Sequence, residues 1–273
     1  MDVIQPKLPE IWEQGEGFMG MCEHIARAAA ICYDSEPKTG GEAVDFTRKL
    51  IRMGHGRVLE FGTVFRHYEV CAAGFETRDE KHGAGKGGLM LVTANLRSIL
   101  QCGEALAEVE RLWEEPREGH PRRVTIHYPA ISRAIADEFR THTTLSTLMQ
   151  STRYVDKGFD NSFTVIEPRW VQEAREREDY FTTSLFRNAC GMSEKYYKLL
   201  MKEGMKRQEA RDVLPLCVST EMAQCGFIGY QNEGWDNFLR LRTAKGAHPD
   251  AQWMAKDVHR LINDLQTKLP FGE

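Results

Sequence analysis

A chain of 273 residues with 41% apolar side chains can bury a full core, and a formal net charge of −4 with 28% charged residues excludes a disordered acidic chain or a polyanion-coating protein. Nucleic acid is therefore not an expected partner. The N-terminal MDVIQPKLPEIWEQGEG has no basic segment followed by an apolar run, and no stretch reaches the roughly 18 apolar residues that span a bilayer, so a cytoplasmic protein outside the membrane is expected.

One domain is expected over 1–273. In chain order, FMGMCEHIARAAAICY places Met19, Cys22, Ile25, Ala26 and Ala29 on one helical face. A second helix is expected over 42–53, stopped by Gly54. RVLEFGTVFRHYEVC is rich in β-branched and aromatic residues, and RRVTIHYPA alternates Val124, Ile126 and Tyr128; both read as strands. Between them the polar, glycine-rich FETRDEKHGAGKGG reads as a mobile loop over 74–88. LMLVTANLRSILQCGEALAEVERLW reads as a long helix that EEPREGHPRR ends, and further helices are expected over 132–154, 179–203, 208–225 and 247–268. Strands clustered early with helices throughout give the α+β class.

Several chemistries fit poorly. In GAGKGG, Lys86 precedes Gly rather than Ser or Thr, against a phosphate loop. Nine histidines lie scattered without the spacing of a metal site. The seven cysteines are odd in number and never spaced C-x-x-C, so no disulfide framework is indicated. Cys217, between Leu216 and Val218, reads as a buried inert thiol rather than a nucleophile.

The informative segment is EFRTHTTLSTLMQSTRYV, residues 138–155, in which seven of eighteen residues are Thr or Ser. One interpretation is a helix whose hydroxyls bond back to carbonyls or face water. The other is that QSTRY follows a helix end and gathers backbone N–H groups, the Ser151 hydroxyl and the Arg153 fork around one phosphate. GWDNFLRLRTAKGAHPDAQW adds Asn237, Arg240, Arg242 and His248. Two cationic clusters in a chain of net charge −4 point to an anionic small molecule such as a nucleotide.

These residues resemble the flavin-dependent thymidylate synthases. Thr-His-Thr at 141–143, seven residues and Ser151 follow the spacing of that family's Arg-His-Arg-x7-Ser signature, and STRY continues it. ARAAAICYDSE resembles its first helix, and GHGRVLEFGTVFRHYEV its Gly-His…Leu-Glu-His segment. ARDVLPLCVSTEM is similar to its Ala-Arg…Leu-Pro…Thr-Glu helix, and NFLRLRTAKGAHPDAQW to its Asn-Phe-x-x-Leu-Arg…Ala-His stretch, all collinear over residues 22–255. The resemblance implies an α+β fold with a twisted, mainly antiparallel sheet and packed helices. It implies a homotetramer with FAD at subunit interfaces and a uridylate nucleotide on the flavin ring. NADPH and methylenetetrahydrofolate are the implied co-substrates, and the implied reaction is C5-methylation of dUMP, or of UMP as in relatives from nucleoside-antibiotic pathways. The alternative is a nucleotide-binding flavoprotein that oxidises NADPH without methyl transfer.

Carried over by position, Arg242 is the implied catalytic residue, set against the uracil carbonyl as C5 becomes nucleophilic. Glu138, Gln150, Ser151, Thr152, Arg153 and Arg242 are implied to bind the substrate, Ser151 and Arg153 through its phosphate. Thr141, His142, Thr143, Gln231, Asn237 and His248 are implied to contact flavin. The sequence departs from the family at four positions: Thr141 and Thr143 replace arginines, Gln150 a glutamate and Phe61 a histidine. These changes are expected to fall on one ligand pocket and to reflect a changed substrate.

Overall fold

The computed structural model describes residues 1–69, 83–86, 89–156, 163–230 and 232–268. Strands β1 (Asp2–Ile4) and β2 (Glu10–Trp12) precede helices α1 (Gly17–Tyr33) and α2 (Gly40–Arg52). On α1 the residues Cys22, Ile25, Ala26 and Ala29 are buried as their spacing requires, but Met19 is 50% exposed and Met21 is buried in its place. The first turn of α1 packs on the chain just before it: a Cβ on Gly20 would lie 2.2 Å from the Gly15 carbonyl carbon, an approach only glycine permits. α2 ends where expected, with Gly54 in the left-handed region at φ 72.

The short helix α3 (Gly56–Leu59) takes the start of the first expected strand, which is confined to β3 (Thr63–Glu69); residues 70 and 71 lie outside the described residues. β4 (Gly83–Lys86) and β5 (Leu89–Asn95) complete an antiparallel sheet of order β3-β5-β4. The expected loop is therefore corrected at 83–86, which form a strand; its residues 74–82, 87 and 88 lie outside the described residues. The expected long helix over 89–113 is also corrected: it is β5, α4 (Leu96–Gln101) and α5 (Leu106–Arg111). LMLV is an unbroken apolar run, which periodicity does not assign to helix or strand. The boundary comes from Asn95, whose side chain caps α4 by accepting from Ser98 N at 2.9 Å.

β6 (Arg123–Ser132) matches its alternation, with Val124, Ile126 and Tyr128 all buried. It leads into α6 (Arg133–Phe139), β7 (Ser146–Met149), β8 (Thr164–Ile166), α7 (Arg169–Glu176) and α8 (Tyr180–Lys202). α9 (Arg207–Ala210), β9 (Ser219–Phe227), α10 (Gly234–Arg242) and α11 (Pro249–Lys268) follow. The helices over 132–154 and 208–225 are thus corrected to helix, turn and strand in each case. β9 lies between β6 and β7 in the antiparallel order β2-β6-β9-β7, so pairing on both edges overrides the helical reading of its sequence. Pro215 separates α9 from β9, with Leu214 before it already extended. Strands are not confined to the first half; β1 and β8 form a further, parallel pair.

The four-stranded sheet has a core on each face. Val124, Ile126, Tyr128 and Met222 pack with Phe139, Trp235, Phe238 and Met254 of α6, α10 and α11. On the opposite face Trp12, Leu148, Ala223 and Cys225 pack with Ala28 and Ile31 of α1 and with Phe61. The result is a mixed α+β fold with antiparallel sheets. Among the described residues, no helix is long and apolar enough to cross a membrane.

Candidate active site

The turn between α6 and β7 carries the Thr-His-Thr residues. Thr141 N and His142 N bond back to the carbonyls of Glu138 and Phe139 at 3.4 and 3.2 Å. The Thr141 hydroxyl donates to the Glu138 carbonyl at 2.7 Å, satisfying a helix-terminal acceptor. Buried Gln224 of β9 donates its amide to Phe139 O and Thr147 Oγ1, each at 3.1 Å, and so fixes this turn to the sheet. Gln224 was not singled out from sequence, because one polar residue in an apolar stretch gives no periodic signal.

Arg242, in the last turn of α10, reaches across to the same turn. Its Nη1 donates to Glu138 Oε2 at 2.6 Å, its Nη2 to Glu138 O at 2.6 Å and Thr141 Oγ1 at 3.0 Å, and its Nε to His142 Nε2 at 2.8 Å. Four of the five guanidinium N–H groups are thereby used, leaving one on Nη1. Burial, reinforced by the neighbouring Arg242 charge, pushes the pKa of His142 down to about 4. The Nε donor makes the same demand, since Nε2 accepts only when unprotonated; the ring is neutral with its proton on Nδ1. Phe238 packs edge-on against that ring at 4.9 Å.

These residues open onto a cavity of about 410 Å³ whose lining includes Thr141, His142, Thr143, Thr144, Asn237 and Arg242. Small residues, Ala244, Gly246 and Ala247, form another part of the wall. Asn237 accepts from Arg240 through its side-chain oxygen at 2.9 Å, which leaves its amide nitrogen as a donor. His248 lies elsewhere: it lines a larger cavity of about 660 Å³ with Trp170, Phe186, Cys217, Asp250 and Trp253, and its Nδ1 accepts from Asp250 N at 3.2 Å. Gln231 lies outside the described residues.

Gln150, Ser151, Thr152 and Arg153 occupy the other end of β7, and follow a strand rather than the helix end expected. Four strand residues set the two groups roughly 13 Å apart. Gln150 N bonds Glu221 O at 2.9 Å and Ser151 N bonds Cys32 O at 3.2 Å, while Ser151 Oγ accepts from Arg153 N at 3.2 Å. Two further arginines surround this loop: Arg211 donates to Thr152 Oγ1 at 3.1 Å and Arg207 to the Tyr154 carbonyl at 3.0 Å. Arg153 itself donates to Gln208 Oε1 at 3.3 Å. Burial first, and then the charges of Arg140 and Arg211, lower the pKa of nearby Arg133, with Asp137 opposing. The sequence singles out neither Arg207 nor Arg211, although Arg211 stands in the quoted ARDVLPLCVSTEM.

The four departures do not share one pocket, as had been expected. Thr141 and Thr143 line the smaller cavity, whereas Phe61 is buried in the core beneath α1 and Gln150 belongs with the Ser151–Arg153 loop. A phenylalanine at 61 is explained by packing alone.

No curated protein matches the chain. Among solved structures, thymidylate synthase X from Helicobacter pylori with FAD and dUMP is 18% identical, with a TM-score of 0.37 over 54% of this chain and 70% of that one. The UMP/dUMP methylase PolB from Streptomyces cacaoi, bound with 5-Br dUMP, is 13% identical, with a TM-score of 0.43 over 98% of this chain and 93% of that one. The family model for thymidylate synthase complementing protein, Thy1, matches residues 121–266, more than half of the chain and a span that includes both ends of β7, the arginine loop and the Arg242 turn. This chain belongs to the thymidylate synthase complementing protein family.

Proposed function

We propose that the protein is a flavin-dependent enzyme that methylates C5 of a uridylate nucleotide, dUMP or UMP. The observation that carries this is the convergence of Thr141, His142, Thr143, Asn237 and Arg242, from two distant parts of the sequence, on one cavity in a member of this family. Balanced, the reaction takes the uridylate, methylenetetrahydrofolate, NADPH and a proton to the 5-methyl nucleotide, tetrahydrofolate and NADP⁺.

The cavity residues support binding of the flavin ring of FAD. Its rim offers the Thr143 and Thr144 hydroxyls and the Asn237 amide, and its small-residue wall admits close approach of a flat ring. When bound, the flavin supplies the redox chemistry, taking reducing equivalents from NADPH. His142, neutral and held by Arg242, presents Nδ1–H as a fixed donor. The remaining Nη1 N–H of Arg242 supports a role in stabilising negative charge on a base carbonyl. Arg153, Arg207 and Arg211 hold the nucleotide phosphate by charge-assisted hydrogen bonds, with Ser151 beside them.

The distance between this arginine loop and the cavity supports a site completed by a second copy in a homotetramer, the loop of one subunit facing the cavity of another. Exposed Leu185, Met192, Tyr196 and Leu199 form a stripe on α8 at the spacing of a helix-pairing face, which supports assembly. Threonine in place of arginine at 141 and 143 leaves room, and the Thr143 hydroxyl offers a partner, for a ribose 2′-OH, which supports UMP as substrate.

Incubation with FAD, NADPH, methylenetetrahydrofolate and either nucleotide, followed by mass analysis of the base, tests the proposal. Added CH₂ is expected, and its absence with both nucleotides despite bound FAD refutes methyl transfer. That outcome with continued NADPH oxidation establishes the second reading, an oxidising flavoprotein, which the near-complete engagement of Arg242 by Glu138, Thr141 and His142 favours. A dUMP rate far above the UMP rate removes the ribonucleotide.

A further inference from the structure

Cys190 of α8 and Cys217, in the segment entering β9, bring their sulfur atoms to 3.4 Å. Neither depends on a flexible tail for its place. Cys190 is 1% exposed in a core cluster with Phe163, Val165, Phe186 and Val218, and the Cys217 carbonyl is pinned by Ile166 N at 2.8 Å. The two sulfurs differ in access: Cys217 is not the fully buried thiol expected from its apolar neighbours but is half-buried and lines the 660 Å³ cavity, while Cys190 sits behind it. Among the described residues, no other two cysteine sulfurs touch.

We propose that Cys190 and Cys217 form a reversible intramolecular disulfide that ties α8 to the strand entering the central sheet. A bond of about 2.05 Å requires the sulfurs to close by roughly 1.4 Å, within the reach of side-chain rotation. The S–H···S contact favours the thiolate on Cys190 and keeps the proton on Cys217, so the pair holds one thiolate and opposes a second. Transfer of that proton to Cys190 across the 3.4 Å contact frees the Cys217 thiolate, which hydrogen peroxide reaches through the cavity; this thiolate attacks one peroxide oxygen and the O–O bond breaks, giving a sulfenic acid and hydroxide. The Cys190 sulfur then attacks the sulfenic sulfur, the S–S bond forms, and the S–O bond breaks with release of water. In sum two thiols are oxidised, one peroxide is reduced, and two waters form. An external thiol reverses the bond.

The test is peptide mapping of the full chain after graded peroxide treatment in the folded state, alkylation of remaining thiols and tryptic digestion. Expected is a cross-link between the peptides 188–195 and 212–240, lighter by two hydrogens than their sum and lost on adding dithiothreitol, with fragmentation assigning it to Cys217 rather than Cys225. In Cys190→Ser the cross-link disappears and dimedone traps a sulfenic acid at Cys217. Full alkylation of both cysteines at peroxide levels that oxidise the exposed Cys102 overturns the proposal, as does a cross-link seen only after unfolding in urea. The wild-type mapping decides the matter even if the variant does not fold.

Discussion

Replacing Arg242 by alanine removes the tie between α10 and the α6–β7 turn, and its effect can be worked from four hydrogen bonds. Two go to Glu138, one to Thr141 and one to His142. Breaking a fully buried ion pair costs about 3–5 kcal/mol. Here the side chains of Arg242 and Glu138 are 18% and 33% exposed, so water recovers part of that loss. A destabilisation of about 2 kcal/mol remains, equivalent to a fall in Tm of roughly 4–8 °C for a chain of this size class. Catalysis is expected to fall further, by about 10²–10³ in single-turnover base methylation, the usual effect of losing a donor to developing negative charge. Thermal unfolding, FAD titration and single-turnover rates on the same preparation separate the two effects. Glu138→Gln serves as the comparison, since it loses the ion pair but keeps Arg242; it should match Arg242→Ala more closely in stability than in rate. Turnover by Arg242→Ala within tenfold of the parent refutes its catalytic assignment, and an unchanged Tm refutes its role as a tie.

Arg153→Ala and Arg211→Ala should each raise the KM for the nucleotide by about 10- to 100-fold with a smaller effect on kcat, because a hydrogen bond to a charged group contributes about 1.5–3 kcal/mol; equal losses in kcat would remove these residues from phosphate binding. His24, buried against Thr125 at 2.9 Å, shares with His142 a pKa pushed down to about 4, in His24 by burial first and then by Arg123 and Arg27. Between about pH 6.5 and 4 the unfolded chain takes up protons that these rings refuse in the fold, so stability is full above this window and falls as pH drops through it. The loss near its lower end is on the order of 2–3 kcal/mol per ring, checked by urea midpoints from pH 7 to 4.5; a clearly flatter pH dependence in His24→Gln/His142→Gln than in the parent confirms the source, and an equal one refutes it. Gly20→Ala should destabilise by about 2–3 kcal/mol, since the Gly15 backbone has to move away from the new methyl. Equal urea midpoints for Gly20→Ala and parent contradict that packing.

What sequence alone determined was wherever local period and burial agree. α1, α2, α8 and α11 have a helical apolar stripe and little competition for it, and β6 alternates because one of its faces meets the α10–α11 core. The order of motifs along the chain likewise suffices to bring Thr141, His142 and Arg242 under one heading. Tertiary structure decided the rest. β9 and β7 carry Thr, Ser, Gln and Met at positions that satisfy either period, and only hydrogen bonding to each other and to β6 makes them strands. That choice turns the Thr-rich segment from one continuous helix into a turn and a strand, and so places His142 and Arg153 at opposite ends of β7 instead of on one helix face. It also decides which charges meet: the Arg211–Thr152 and Arg242–Glu138 contacts join residues 59 and 104 positions apart, and the Cys190–Cys217 contact joins residues 27 apart. Such partners carry no mark in local sequence, because their proximity arises from sheet register and helix packing rather than from any property of either residue alone.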